Sequence, residues 1–245
     1  MKRMIFDSIH KFCRLSLYRA ATEYYGCSEK AGLWMFPEKI VKSDRFQMIF
    51  NAVDLKKFTY SSAVRDDVRK ELNLENKFVV GHVGNFVYQK NHYFLIDIFE
   101  ELKRKCPEAV LLLLGRGERF ETVEKRIKEK GLEDSVRLLG FRKDPDRLFQ
   151  AMDFFLLPSY FEGLPTVGVE AQCTGLPSLM SDTITTEVKI TENCWFLPLK
   201  EKPEVWADFI LKHRETDREH ISWIGKKEAY SLETLKKQQQ RLLEK

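Results

Sequence analysis

Hydrophobic residues between positions 58 and 200 fall into short continuous runs, separated by stretches in which they recur at helical spacing. Continuous apolar strands are expected where helices cover both faces of a sheet. The predicted strands cover 78–83, 109–114, 135–139, 153–157 and 177–181. The predicted helices cover 62–73, 91–105, 118–130, 144–151 and 165–174. This alternation predicts an α/β fold with a doubly wound parallel sheet, whose ligands bind outside the C-terminal ends of the strands.

The two ends of the chain have a different pattern. Residues 1–21 predict a basic amphipathic helix with Ile5, Ile9, Phe12 and Leu15 at helical spacing. The next predicted elements are a short strand over 22–27, a helix capped by Ser28 and a strand over 46–50. From residue 203 to the end, the chain is predicted to be helical.

Composition excludes several classes of protein. Hydrophobic and charged residues make up 43% and 32% of the chain, and the formal net charge of +4 permits anionic substrates without indicating nucleic acid. The five cysteines are scattered and lack CxxC spacing, which argues against a disulfide framework and a zinc site and fits a reducing cytosol. No apolar run approaches the ~18 residues of a membrane span.

Glu170 is the only charged residue in the segment 163–181. Pro165 and Gly175 mark the start and the end of a short helix around it. Carboxylates are rarely buried without a partner, and a mid-helix side chain leans toward the N-terminus of its helix. Glu170 is therefore expected to point toward the turn that carries Glu162, where free N–H groups can receive an anion. Two carboxylates beside such a helix end suggest a polyol linked to a phosphate, as in a nucleotide sugar.

Three further loops follow predicted strands. In GHVGNFVYQKN, Gly84 allows close approach of a ligand and Lys90 is placed to meet a phosphate, although a surface lysine near a helix start is the simpler interpretation. In LLLLGRGERF, Gly115 and Gly117 follow a buried strand and precede a helix, so a tight strand-to-helix turn explains them as well as a ligand site does. In LLGFRKD, Phe141 and Arg142 could flank a nucleotide base. There is no GxGxxG, which counts against a nicotinamide dehydrogenase.

The Glu162–Glu170 pair in FEGLPTVGVEAQCTGLP resembles the signature of the retaining GT-B glycosyltransferases of family 4. Other segments agree in order: CSEKAGLWMF, NAVDLKKF, VGNFVYQKNHYFL, LLGRGE, LGFRKDPDRLFQAMDFFLLPS and SDTITTEVKIT. The resemblance runs from about residue 21 to residue 211. It is strongest to the bacterial exopolysaccharide and capsular-polysaccharide branch.

The resemblance implies a role for each matching residue. Glu170 would accept hydrogen bonds from the ribose hydroxyls, and Glu162 would contact the donor sugar. The backbone near Arg142 would meet the base. Catalytic roles are implied for Glu162 and Lys90. The diphosphate would be held by Gly84, Asn85, Lys90, Gly163, Leu164, Thr166 and Val167. Asn85 stands where the family usually has arginine, which weakens one diphosphate contact.

The implied protein is the C-terminal, Rossmann-like donor half of a GT-B hexosyltransferase. It would use a UDP-sugar, a glycan or lipid-linked acceptor and no metal or other cofactor, in the cytoplasm or at the inner face of the membrane. The resemblance divides the chain into a remnant of the acceptor half (1–40), the donor-nucleotide-binding domain (41–200) and the C-terminal helices (201–245). The acceptor-side glycine-rich loop has no counterpart. The alternative is a nucleotide-sugar-binding fragment that is inactive alone or needs a separate N-terminal chain. The first helix would pack on the acceptor half or lie on an anionic membrane surface.

Overall fold

The computed structural model describes residues 19–218, 220–224 and 227–244, together with residues 9, 12, 13 and 17. Ile5 and Leu15, on which the first predicted helix partly depends, lie outside these residues. Residues 9, 12, 13, 17, 19 and 20 of that stretch are helical. No helix within the described residues is long and apolar enough to cross a bilayer.

A parallel six-stranded sheet forms the centre of the described part of the chain, in the order β5-β4-β3-β6-β7-β8. Its strands are β3 (Phe78–Val83), β4 (Ala109–Leu114), β5 (Val136–Gly140), β6 (Phe154–Leu157), β7 (Ser178–Ser181) and β8 (Cys194–Leu197). The first two strands of the chain, β1 (Tyr24–Gly26) and β2 (Phe46–Met48), pair in parallel in a sheet of their own. That small sheet joins residues on both sides of the predicted boundary at residue 40.

Helices cover both faces of the large sheet. The described helices are α1 (Glu29–Met35), α2 (Glu38–Val41), α3 (Ser62–Glu71), α4 (His92–Lys105), α5 (Phe120–Glu129), α6 (Pro145–Ala151), α7 (Thr166–Cys173), α8 (Pro203–Lys212) and α9 (Leu232–Leu243). Core residues of α3, α6 and α7 share one buried cluster, and those of α4, α5 and α8 share the other. Successive strand residues alternate between the clusters, as a sheet buried on both faces requires.

The predicted fold class is confirmed, and β3 and β4 have the predicted bounds. Ser28 caps α1 as expected, because its hydroxyl accepts a hydrogen bond from the Ala31 N–H at 3.0 Å. The edge strand β8 was not predicted, because its four residues, CWFL, are too short a run to distinguish from a loop. The helical interpretation of residues 203–245 holds for α8 and α9, but much of the chain between them is irregular.

Candidate functional site

The candidate site lies where the strand order changes direction, between β3 and β6. From β3 the chain first winds outward to β4 and β5, and it then returns to β6 on the other side of β3. The loops that leave the C-terminal ends of β3 and β6 therefore separate and open a crevice, the usual ligand site in such sheets. These two loops, 84–91 and 158–165, carry most of the residues expected from the sequence.

A charged network joins the two loops across this crevice. The Lys90 ammonium lies 2.7 Å from one carboxylate oxygen of Glu162, and the Gln89 side-chain amide donates to the other oxygen at 2.8 Å. Only 13% of the Lys90 side chain and 9% of the Glu162 side chain are exposed. The simpler interpretation of Lys90 as a surface lysine is therefore wrong. The structure brings the two expected catalytic residues into direct contact, and Gln89, which the sequence did not single out, holds the other oxygen of Glu162.

Backbone geometry turns the chain into α4 immediately after Lys90. Residues Tyr88–Lys90 form a 3-10 turn, and Asn91 has the left-handed conformation, with φ 54°, that turns the chain into α4. A Cβ added to Gly84 would lie 3.0 Å from the Lys90 Cε atom, so a larger residue would crowd the lysine. The glycine at position 84 thus leaves room for Lys90, whereas its expected role in the close approach of a ligand stays a prediction.

The glycines after β4 have an explanation within the protein. Gly115 and Gly117 have φ angles of 147° and 155°, which side chains rarely adopt. Added Cβ atoms would lie 2.0 Å from the Gly84 carbonyl oxygen and 2.5 Å from that of Phe86. Of the two interpretations of LLLLGRGERF, a tight turn or a ligand site, the structure favours the one without a ligand, and it adds a reason that the sequence did not offer, the close packing of this loop against loop 84–91. Asn85 lies between these contacts.

The N-terminus of α7 is the second part of the site. Its N-cap is Pro165, which gives no side-chain cap, so the N–H groups of the first residues, among them Thr166 and Val167, have no partner within the helix. Just before it, Leu164 is buried and the Gly163 carbonyl accepts a hydrogen bond from the Ser28 hydroxyl at 3.0 Å. The segment before α1 therefore fixes the loop that leads into α7. A helix N-terminus of this kind favours an anion.

Glu170 lies on α7, partly buried, beside two charged residues from other elements. Burial raises the pKa of its carboxyl to about 7, the nearby Lys57 ammonium acts to lower it, and Asp146 acts to raise it. Lys57 and Asp146 form an ion pair of 3.1 Å. The structure therefore places Glu170 beside this ion pair, whereas Glu162 is bound to Lys90, so the two glutamates belong to neighbouring but separate groups.

Arg142 lies after β5, farther from the Lys90–Glu162 pair. Its guanidinium donates two hydrogen bonds to Asp144, at 2.9 and 2.8 Å, and these bonds hold the pKa of that carboxyl below its usual value. The neighbouring Phe141 is exposed, and the Arg116 guanidinium lies 5.1 Å from the centre of its ring. The Arg142 guanidinium also lies 3.6 Å from the Glu71 carboxylate on α3, so its side chain is occupied by protein partners, and an exposed ring adjoins its backbone.

Three residues of the site were missed from the sequence: Gln89, Lys57 and Asp146. Gln89 and Lys57 stand in the segments VYQKN and NAVDLKKF, but spacing alone gives neither a role. The contact between residues 57 and 146 depends on how α6 packs against the loop before α3, which no local pattern contains. Two buried histidines beside the site, His82 and His92, have pKa values lowered mainly by burial, to about 4 for His92.

Taken together, the crevice offers a cation, an open helix N-terminus and the Glu162 carboxylate, and the same helix carries a second carboxylate, Glu170, beside the Lys57–Asp146 pair. The cation and the N–H groups suit a di-anionic group such as a diphosphate, whereas the carboxylates suit hydroxyl groups. Among the described residues, no three histidine, cysteine, aspartate or glutamate side chains come together as a metal site.

Comparison with known proteins gives this chemistry a family. The model of the glycosyl transferases group 1 matches residues 64–212. The putative glycosyltransferase EpsF of Bacillus subtilis (strain 168) is 32% identical over 227 residues, which cover 87% of this chain and 58% of EpsF. The UDP-Gal:alpha-D-GlcNAc-diphosphoundecaprenol alpha-1,3-galactosyltransferase of Escherichia coli is 33% identical over 149 residues, or 59% of this chain and 38% of that enzyme.

Solved structures agree on the fold. The crystal structure of Anabaena Alr3699/HepE in complex with UDP and glucose superposes with a TM-score of 0.80 at 21% identity, covering 96% of this chain and 66% of HepE. The chain thus spans between about two fifths and two thirds of the length of these proteins. Since the family model covers more than half of its 245 residues, the chain belongs to the glycosyl transferases group 1, and its sheet is that of the GT-B glycosyltransferases.

Proposed function

We propose that this chain carries the donor-binding half of a retaining hexosyltransferase of family 4. The reaction moves a sugar from a UDP-sugar to a hydroxyl of a glycan or lipid-linked acceptor, in exopolysaccharide or capsule synthesis. The observation that carries the proposal is the buried Lys90–Glu162 pair at the strand-order switch, in which Glu162 lies on the loop that leads directly into the open N-terminus of α7. Two relatives support the choice of donor and acceptor, because their names specify UDP or a UDP-sugar and, for one, a diphosphoundecaprenol acceptor.

The charges of the site suit a leaving diphosphate. Lys90 and the N–H groups of Gly163, Leu164, Thr166 and Val167 would bind the phosphates, together with the backbone of Gly84 and Asn85. Negative charge grows on the diphosphate as the glycosidic bond breaks, and fixed donors stabilise that charge most in a site shielded from water. Lys90 and the helix end supply this stabilisation, so the proposal requires no divalent metal.

The two carboxylates would bind the hydroxyl groups of the donor, Glu162 those of the sugar and Glu170 those of the ribose. When the diphosphate takes over part of the Lys90 ammonium, Glu162 becomes able to accept hydrogen bonds from the hydroxyls of the donor sugar. Glu170 would accept hydrogen bonds from the ribose hydroxyls, with Lys57 nearby to favour its ionised form. The base would lie against the backbone near Arg142. Hydrogen bonds to charged groups contribute about 1.5–3 kcal/mol each, so either glutamate can decide affinity.

The second candidate is a nucleotide-sugar-binding chain that is inactive alone. Residues 41–200 hold every proposed donor contact, while positioning of an acceptor can account for ~7–11 kcal/mol of a barrier. We propose that the acceptor half, whether in the same polypeptide or a separate one, supplies that positioning, with residues 1–40 belonging to it. The reaction would take place in the cytoplasm, at the inner face of the membrane where the acceptor is lipid-linked.

Calorimetric titration separates these ideas. UDP and UDP-sugars should bind the chain more tightly than ADP, with equal affinity in the presence and absence of a chelator. Sugar transfer to a lipid-linked acceptor panel should be far slower than an ordinary enzymatic rate of about one per second. A chain that binds no uridine nucleotide contradicts the proposed function, and a chelator-sensitive affinity contradicts its metal-free mechanism. Rapid transfer by this chain alone would contradict the need for a separate acceptor half.

A further inference from the structure

Two tyrosine rings form an exposed stack beside the Lys90–Glu162 pair. Tyr88 and Tyr160 lie with ring centres 4.7 Å apart and ring planes inclined by only 19°. Their residues are 47% and 38% exposed. Tyr88 comes from the loop after β3 and Tyr160 from the loop after β6, so this tyrosine stack bridges the two loops that form the crevice.

Hydrogen bonds tie the tyrosine stack to the site. The Tyr160 N–H donates to the Gln89 carbonyl at 2.8 Å, and the amide of the same glutamine donates to Glu162. The Arg119 guanidinium also lies 5.1 Å from the centre of the Tyr88 ring. The stack is therefore held in place by contacts within the protein, which lowers the entropy lost on binding.

Position along the sheet makes the nucleotide base a poor candidate for this surface. The loop of Arg142 follows β5, which is two strands from β3. Neighbouring strands are about 4.8 Å apart, so the base region lies roughly 10 Å from the stack across the sheet. A nucleotide sugar with its base at the β5 loop and its diphosphate at Lys90 would place the donor sugar toward β6 and Tyr160. The acceptor that approaches this sugar would then lie on the same side.

Depth in the crevice distinguishes the two sugars of the reaction. Glu162 and Lys90 are nearly buried, whereas the tyrosines are the exposed rim two residues away. A sugar in contact with Glu162 lies deep, and a second sugar that approaches it from solvent must pass the rim. Aromatic rings there offer a flat apolar surface, which matches the face of a pyranose ring that carries only C–H groups.

We propose that the tyrosine stack binds the apolar face of a sugar ring of the acceptor, so that the acceptor is a glycan rather than a simple lipid alcohol. The proposal rests on the proposed function, because it places the acceptor next to the donor sugar of that reaction. It assigns the outer ring face of Tyr160 as a contact for the acceptor sugar and Tyr88, whose ring is packed between Tyr160 and Arg119, as the residue that positions Tyr160, in addition to the positioning that the acceptor half supplies.

The test uses methyl β-D-glucopyranoside as the probe, because its H1, H3 and H5 atoms lie on one apolar face. Saturation-transfer NMR with irradiation of the aromatic protons of the intact chain should label these three protons most strongly. Tyr160→Ala and Tyr88→Ala should each raise the Kd of the glucoside by roughly threefold to tenfold. Tyr160→Phe should leave the Kd unchanged, because stacking does not need the hydroxyl.

Tyr93→Ala is the matched control. Tyr93 is 40% exposed and lies on α4 just past the loop 84–91, but its ring partner is the Arg126 guanidinium on α5, 5.0 Å from its ring centre, rather than either ring of the tyrosine stack. This variant should bind the glucoside as the unchanged chain does. Thermal unfolding of each variant shows whether loss of a tyrosine also destabilises the fold. The labelling experiment uses the unchanged chain, so it tests the proposal even if a variant fails to fold.

Titration with UDP separates this proposal from the proposed function. Tyr160→Ala should bind UDP with a Kd within about twofold of that of the unchanged chain. If the unchanged chain does not bind UDP, the proposed function is wrong. If the unchanged chain binds UDP but the glucoside protons are not labelled, the proposed role of the tyrosine stack is overturned. A variant that loses affinity for UDP-glucose while keeping the glucoside would assign the stack to the donor sugar and overturn the proposal.

Discussion

The central sheet has buried charges at both ends of its strands, which we call the N-terminal edge and the C-terminal edge of the sheet. The two edges use these charges differently. At the N-terminal edge, Arg218 is buried and donates five hydrogen bonds to four backbone carbonyls, those of Phe149, Gln150, Met152 and Thr174. At the C-terminal edge, the Lys90 ammonium has three hydrogens to donate, and among the described residues its acceptor is Glu162. The Arg218 guanidinium uses all five of its N–H donors within the protein and so stabilises the fold. The Lys90 ammonium keeps donors that a ligand can use.

Neighbouring arginines strengthen this contrast. Arg65 and Arg69 also donate to the carbonyls at the end of α6, and both pair with Asp153, which accepts the Val79 N–H at 2.7 Å. Burial lowers the pKa of Arg218 to about 9, with Arg65 acting in the same direction. The helix C-terminus favours these cations, so the cluster joins α3, α6 and the segment near residue 218 into one structure. Buried charge alone therefore does not indicate a binding site.

The largest effect is expected from Arg218→Met. The substitution leaves buried carbonyls without donors and should lower the free energy of unfolding by about 3–5 kcal/mol. Urea unfolding measures that loss, and UDP titration of the folded variant should give an unchanged Kd. Full stability, or a weaker affinity for UDP without loss of stability, would show that this edge is not purely structural.

This contrast also explains how far the sequence could predict the molecule. Strand runs such as AVLLLL and the caps around α7 are local signals, so the sheet and the Glu170 helix were predictable. The pairing of Lys90 with Glu162 was predictable only as proximity, because parallel strands end at one edge. The Lys57–Asp146 pair and the Tyr88–Tyr160 stack depend on the packing of distant loops, for which the sequence has no periodic signal.

The next largest effect concerns Glu170, whose carboxyl pKa rises from 4.5 to about 7 on folding. Between these pH values the folded chain holds a proton that the unfolded chain has released, so stability falls as the pH rises. Glu170→Gln removes this dependence and should raise the free energy of unfolding at pH 8 by up to ~3 kcal/mol, with no difference below about pH 4.5. The same variant should bind UDP at least about tenfold more weakly.

Asp153→Asn is the matched change at the other edge of the sheet. Its carboxylate is bonded to two arginines and a backbone N–H, so the amide should lower stability at pH 8 and leave UDP affinity unchanged. Unfolding curves of both variants at pH 4 and pH 8 make the comparison. If the two substitutions change stability in the same direction, the proposed difference between the edges fails.

Lys90→Met tests the cation of the crevice itself. Loss of one charged contact to the diphosphate should weaken UDP by about 1.5–3 kcal/mol, which is roughly tenfold to a hundredfold in Kd. Because the variant leaves Glu162 without its partner, Lys90→Met combined with Glu162→Gln should recover stability but not UDP affinity. Lys105→Met is the control, since Lys105 also pairs with a carboxylate, Glu204 at 3.4 Å, but lies on α4 away from the crevice. Equal UDP affinity in Lys90→Met and Lys105→Met would remove Lys90 from the site.

The smallest effect is expected from the removal of two helix caps, of which only Ser28 also contacts a loop of the site. Ser28 caps α1 and also donates to the Gly163 carbonyl, whereas Ser231 caps α9 by accepting the Thr234 N–H at 3.1 Å. Loss of either cap in Ser28→Ala or Ser231→Ala should lower the free energy of unfolding by about 1 kcal/mol. Only Ser28→Ala also releases the loop before α7, so it alone should weaken UDP, by up to about fivefold. Paired unfolding and UDP titrations would decide, and equal UDP affinities would show that the segment before α1 stabilises the fold without shaping the donor site.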